Sequence, residues 1–415
     1  MTKYARYLCA DLAAVLALAM PPLVTLAHAD EADLRAQGFV SQRLTTSSGK
    51  NNFFGDTRGK LSADYTEVGA GVSWRPHSQW LLSGQAIYRR GGESEENRVE
   101  TDYLYAAYTP LESEAGHLTL MLGKIKVPYG LYNDMRDTPM TRPGILAPQS
   151  IYPDSLRQLT QSATGIHMEA ERALGGDSVT LRLSQIKPNV RGDNTFWTLL
   201  GDRSLFAGTL YTRENEAFSG QLAYDHDGGR LRALISHAQG TARYRPGSAD
   251  VWNGGRLDFR FSALSMQWNG ERVSLSGEWT RNSFHNRFDS TSIPNLDAQN
   301  TGNAWYLQAQ WRFAPRWEAL LRHDVFLSDK NDPDGIAYAA DPVNAGKPAW
   351  SRFARGWTLG LRYRMDKHWL LAGEAHRAHG TLWLPPADNL SNGQWVPGNT
   401  SPDWNLFLLQ TTYQF

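Results

Sequence analysis

Trp404-Asn405-Leu406-Phe407-Leu408-Leu409-Gln410-Thr411-Thr412-Tyr413-Gln414-Phe415 closes the chain and decides how the rest is read. Counted in twos, Phe407, Leu409, Thr411, Tyr413 and Phe415 share one face of a strand, and Leu408, Gln410, Thr412 and Gln414 share the other. A period of two with one mostly apolar face suits a strand that meets lipid outside and water inside. The last ring would then sit at a membrane interface, where aromatic side chains are favoured. A soluble sandwich ending on an edge strand is the competing reading. If the stretch is a barrel seam, the rest of the chain should be hairpins of the same kind.

From Gly38 onward, period-two runs alternate with turn chemistry about every ten residues. Residues 61–75 set Val68, Ala70, Val72 and Trp74 against Glu67, Gly69, Gly71 and Ser73. After the turn at Pro76-His77-Ser78, the next strand directs Trp80, Leu82, Ala86 and Tyr88 outward. Further short turns are expected at 174–177, 227–229, 269–271, 314–316 and 365–367, with long connections near 240–255, 284–302, 329–354 and 380–402. Short and long connections should alternate between the two ends of a membrane barrel. The alternation fails only if 205–213 crosses the membrane, so 188–216 is read as one external loop with a short structured piece. The expected fold is all-β, a transmembrane antiparallel β-barrel of about 16 strands, which leaves an aqueous lumen where about eight strands would be filled by side chains.

Composition agrees. The chain carries 42 basic and 42 acidic side chains, so a polyanion-binding role, which needs a basic excess, is not indicated, and no nucleic-acid partner is expected. Residues 1–29 have the layout of a secretory signal: Lys3 and Arg6, then an apolar run at 12–20, then Ala27-His28-Ala29, with cleavage expected after Ala29. Residues 30–415 would be the mature barrel. The one cysteine, Cys9, would leave with the signal, so no disulfide or thiol chemistry is expected. Mean hydropathy is −0.48, which in a barrel follows from strands with one watery face and from polar loops.

Segment 128–163 holds Pro128, Pro139, Pro143, Pro148 and Pro153, which exclude a regular helix or central strand, yet also Tyr129, Leu131, Tyr132, Ile145, Leu146, Ile151 and Tyr152. A proline-stiffened loop with apolar anchors should pack against something, and in a wide barrel that is the inner wall. It would carry Asp134, Arg136, Asp137, Arg142, Asp154 and Arg157 into the lumen as a constriction. A surface lid or trimer-contact loop is the alternative. Charges facing lipid at mid-depth cost roughly 2–4 kcal/mol for Arg, which argues for an inward wall. That wall would comprise Arg89, Arg182, Arg232, Arg260, Arg312, Arg322, Arg362 and Arg364 with Glu169, Glu171, Asp258, Glu278, Glu318, Asp324 and Glu374. A sharper expectation sets the arginines of the twelfth to fourteenth strands against the acidic residues of the loop, as a transverse field.

The closing strand resembles the C-terminal signature strand of Gram-negative outer-membrane barrels, with Thr411 a departure from its usual apolar residue. Gly123-Lys124-Ile125-Lys126-Val127-Pro128-Tyr129-Gly130, Thr141-Arg142-Pro143 and Pro148-Gln149-Ser150-Ile151-Tyr152 resemble runs of the porin-like outer-membrane proteins, and more loosely the phosphate-selective porins, whose lysine cluster is missing here. The resemblance implies a third external loop folded into the lumen and a water-filled channel for passive diffusion of small hydrophilic solutes or ions. It also implies outer-membrane lipid as surroundings and, by analogy, a homotrimer. No catalytic residues, cofactor or metal site are expected. Asp329–Gly335 lacks the EF-hand ligand order, and His167, His323 and His376 lack paired metal-ligand spacing. A phospholipase-like barrel hydrolase and an adhesin or structural barrel are the competing functions.

Overall fold

The computed structural model describes residues 33–415 apart from 202–204, 345, 391–395 and 397; the expected signal at 1–29 lies outside the described residues. Strands β1 (Asp33–Ser47), β2 (Thr66–His77), β3 (Trp80–Arg90), β4 (Val99–Ser113) and β5 (Gly116–Lys126) run up and down in order. They are followed by β6 (Ser162–Leu174), β7 (Asp177–Pro188), β8 (Ala217–His226) and β9 (Leu231–Arg245). Next come β10 (Gly254–Asn269), β11 (Val273–Asp289), β12 (Leu296–Ala314) and β13 (Trp317–Leu327). The circuit ends with β14 (Phe353–Arg364), β15 (Trp369–Gly380) and β16 (Asp403–Gln414). Each pairs antiparallel with its neighbours and β16 pairs with β1, giving a closed barrel of 16 strands.

A three-residue strand, Thr209–Tyr211, pairs with the tip of β9 at Arg243–Arg245 and does not cross the barrel. Residues 189–216 are therefore one connection, which also holds α1 (Asp193–Leu200). The parity argument holds.

The seam closes as the period of two requires. Gly38 and Phe415 exchange both backbone hydrogen bonds at 3.0 Å. A Cβ at Gly38 would come within 2.5 Å of the Phe415 ring, so a glycine there lets the ring lie across the seam. Phe407, Leu409, Thr411 and Phe415 face outward and are exposed, while Leu408, Gln410 and Thr412 are buried inside.

At one end of the barrel the turns are two to four residues long; the other end carries the long loops. Aromatic side chains ring the short-turn end on the outside, with Trp80 4.8 Å from Tyr108, Trp317 4.5 Å from Tyr363 and Trp369 4.9 Å from Tyr413. On the β11–β12 side a second outward level holds the paired Trp279 and Trp305, with leucines and small residues between. Two aromatic levels flanking an apolar band are the signature of a barrel crossing a bilayer.

Two loops are shorter than expected: 240–255 and 284–302 shrink to 246–253 and 290–295. The intervening strands are tall, β9 to β12 having 15, 16, 17 and 19 residues against 11 or 12 in β13 to β16. Their upper parts are polar on the outside, so they read as loop, but the hydrogen-bond ladder continues above the apolar band.

Candidate functional site

Residues 127–161 join β5 to β6 and are buried along most of their length. Their polar groups meet side chains of β2 to β5 and β7 on one side and of β8, β9 and β11 to β15 on the other.

The first margin is ionic. Asp137 pairs with Arg89 of β3, with Lys126 at the end of β5 and with Arg157 of the same loop. Against the penalty of burial, these three cations hold the Asp137 carboxyl well below its ordinary range. Arg142 donates to Glu67 of β2 at 2.9 Å, and Glu67 also binds Arg89. Arg136 and Arg157 both reach Asp154 within the loop. Asp134 reaches Arg182 of β7 at 3.2 Å, and Arg182 also binds Glu169.

The second margin is built on neutral donors around buried carboxylates. Glu278 of β11 accepts from the Leu131 amide at 2.9 Å and from the hydroxyls of Tyr152, Tyr306 and Ser265. Tyr132 donates to Ser276 at 2.9 Å and packs against the Tyr306 ring. Glu374 of β15 accepts from the amides of Ile145 and Leu146, and Asp324 of β13 accepts from Ser150 at 2.7 Å. Gly130 lies at φ +60°, and a Cβ there would meet the Tyr152 hydroxyl at 2.1 Å, so the tight first turn needs glycine. Tyr129, Leu131, Ile151 and Tyr152 belong to one apolar cluster with Phe259, Phe261 and Ala304 of the wall.

Most of the expected wall residues point inward: Arg89, Arg182, Arg232, Arg322, Arg362, Glu169, Glu171, Glu278, Glu318, Asp324 and Glu374. Arg364 and Arg312 lie at the short-turn end, where the Arg312 guanidinium donates to the Gly270 carbonyl. Arg312, Arg362 and Arg364 line a cavity of about 440 Å³ there with Arg272, Arg316 and Glu318.

Arg260 and Asp258 are the exceptions. They share the outward face of β10 with Leu264, Met266 and Trp268, while Leu257, Phe259 and Phe261 face in. The lipid-cost argument fails for them because the tall β10 carries them above the apolar band, where that cost falls toward zero.

The expected transverse field is also corrected. The loop acids Asp134, Asp137 and Asp154 pair with Arg182, Arg89, Lys126 and loop arginines. Arg322 and Arg362 instead pair with the wall acids Asp324 and Glu318 and donate to the loop carbonyls of Leu146 and Met140.

Sequence reading missed Asp102 and Lys126, which pair with each other beside Asp137. Asp102 sits at a register shift between β3 and β4, where simple alternation breaks. The isolated histidines have structural partners: His167 binds Ser184, His376 binds Thr358 and Glu374, and His323 faces out between Trp305 and Trp357. Asp332 in the calcium-like loop accepts from the Ala337 and Tyr338 amides. Among the described residues no group of His, Cys, Asp and Glu is arranged to hold a metal.

Toward the long-loop end a cavity of about 460 Å³ is lined by Tyr129, Phe259, Phe284, Asn282, Asn286 and Phe326 among others. Above it the long loops interlock. Asn52 and Asn389 exchange hydrogen bonds at 2.9 Å, and Asp388 accepts from the Ser94 hydroxyl at 2.6 Å and the Glu93 amide at 2.9 Å. Burial raises the Asp388 carboxyl to about 6, although these donors pull it down.

No protein-family model matches the sequence, and neither does any curated protein. Solved structures do resemble the fold. The outer membrane channel DcaP of Acinetobacter baumannii aligns over 94% of this chain and 99% of its own, with a TM-score of 0.60 at 14% identity. An anion-selective porin from Comamonas acidovorans aligns over 93% and 100%, with a TM-score of 0.55 at 14% identity. OmpF of Salmonella typhi, in complex with daunomycin, aligns over 92% and 97%, with a TM-score of 0.53 at 13% identity. The chain has the fold of the outer-membrane porins, a sixteen-stranded barrel.

Proposed function

We propose that the protein is an outer-membrane porin, a passive channel for small hydrophilic solutes, in which residues 127–161 form the constriction. The observation that carries the reading is one loop tied to inward side chains on opposite sides of a closed barrel. Such a loop sets the free cross-section, and its anchors determine how rigid that cross-section is. The charges of the loop are balanced by wall and loop partners, so the arginine-lined cavity at the short-turn end is the candidate for ion preference.

A hydrolase is the weaker alternative. Glu374, His376 and Thr358 are hydrogen-bonded in line, which resembles an acid–base–nucleophile relay. Glu374 is engaged by the Ile145 and Leu146 amides, however, and Thr358 is only 3% exposed, so a substrate carbonyl has no approach. Proteoliposome swelling tests the proposal: uptake of small sugars that falls with solute size supports it, and lipid hydrolysis without solute flux overturns it.

A further inference from the structure

The outward face of β9 to β12 changes character along its height. Leu231, Ala233 and Ile235 on β9, Leu264, Met266 and Trp268 on β10, and Leu275, Gly277 and Trp279 on β11 give way upward to polar residues. Those are His237, Gln239 and Arg243 on β9, Arg256, Asp258 and Arg260 on β10, and Arg281, Ser283 and Arg287 on β11.

Arg260 and Arg281 stand just above the apolar band. Arg260 is opposite Ser283 and Arg281 is opposite Ser262, so the two arginines are diagonal neighbours, roughly 7–8 Å apart at the backbone. Arg256 and Arg287 share Asp258, and Arg243 pairs with Glu216. Among the described residues no ion pair is found for Arg260 or Arg281, and both are exposed. Arg260 lines a depression of about 330 Å³ with Ser283, His285, Arg287 and the ion-paired Asp258 and Glu216, and Arg281 stands beside it, one diagonal step below Arg260.

Directly below lies a larger outward groove of about 1260 Å³, lined by Leu222, Ile235, Leu264, Leu275, Trp279 and Leu307. Gly277 and Ala309 keep its floor low. A second copy of the chain seated here would take two unpaired arginines out of water, which burial penalises unless carboxylates meet them. A lipid places its anionic headgroup on the arginines and its hydrocarbon in the groove at once. Guanidinium groups favour phosphate oxygens through paired, charge-assisted hydrogen bonds.

We propose that this surface is a binding site for an acylated lipid whose headgroup carries phosphate, with Arg260 and Arg281 on the phosphate and the acyl chains between Leu264, Trp279 and Leu307. The test is native mass spectrometry of the intact barrel released from micelles doped with bis-phosphorylated lipid A or its dephosphorylated form. Wild type should retain the phosphorylated lipid preferentially. Arg260→Gln and Arg281→Gln should each weaken retention on the order of tenfold. Trp279→Ala should weaken retention of both lipid forms. Single-channel conductance of Arg260→Gln should stay at the wild-type value, since the side chain faces away from the lumen, and it also reports correct folding. Equal retention by wild type and the double variant, or equal retention of both lipid forms, would overturn the proposal. So would an oligomer that dissociates only in the double variant, which would make the surface an interface between copies.

Discussion

The loop 127–161 is fastened differently at its two margins, and the contrast shows how a barrel can hold a segment across its width. Toward β2, β3 and β5 the fastening is charge on charge: Asp137, Arg142 and Arg157 with Glu67, Arg89 and Lys126. Toward β11 and β15 the wall carboxylates Glu278 and Glu374 collect loop amides and hydroxyls, with apolar rings packed around them, and Asp324 of β13, already paired with Arg322, adds one hydroxyl from Ser150. Opposite charges specify position but leave a stranded ion when one partner is lost. Neutral donors around an acceptor lose contacts one at a time. The ionic margin should therefore fail abruptly and the neutral margin by degrees.

The largest effect is expected from removing both margins together. Deleting 134–157 should raise single-channel conductance in a planar bilayer more than any point change; unchanged conductance with the barrel intact would mean that the loop does not limit flow. Next is Asp137→Asn, which removes the carboxylate shared by Arg89, Lys126 and Arg157 and leaves the three crowded cations with Glu67, Asp102 and Asp154 alone. Breaking a buried pair from one side costs about 3–5 kcal/mol, and hydrogen exchange across 127–161 should accelerate accordingly. Glu278→Gln at the neutral margin keeps an acceptor and should cost less, about 1–3 kcal/mol through the donor it leaves unmet. If the two substitutions loosen the loop equally, the contrast between the margins is wrong.

A smaller effect concerns the loop cap. The Asp388 carboxyl titrates near 6 in the folded protein against 3.8 as an ordinary aspartate, so the docked loop binds the proton more tightly than the free one. Docking is then strongest below about pH 4 and weakens as pH rises through 6. Amides of 381–390 should exchange more slowly at pH 4.5 than at pH 7.5 after correction for intrinsic rates, and Asp388→Asn should abolish that difference. Smallest of all, Arg364→Ala at the exposed short-turn end should shift the reversal potential toward cation preference, with Arg362→Ala shifting it less because Glu318 already balances that charge. No shift in either would remove these arginines from ion selection.

The barrel itself was legible because the period of two survives in every crossing, and the count could be checked by the alternation of turns and loops. That check kept 205–213 out of the wall. Strand height was not legible. Above the apolar band the outward face of β10 is charged (Arg256, Asp258, Arg260) and the inward face apolar (Leu257, Phe259, Phe261), the reverse of the order at membrane depth, so alternation separates two faces there but points the wrong one at the lumen, and Arg260 faces out. The proline-rich loop was recognisable as a packed segment from its own composition. Its partners were not, since Glu67, Glu278 and Glu374 are brought together by closure of the barrel and carry no local mark.

The unequal strand heights have a practical consequence. The hairpin tips at 246–253 and 290–295 crown the tall side on stiff ladders, whereas 48–65 and 381–390 are knitted into each other. A peptide epitope grafted at 290–295 should stand clear at the cell surface without altering solute flow, while the same graft at 381–390 would unpick the interlocked loops, making the tall rim the natural place for display.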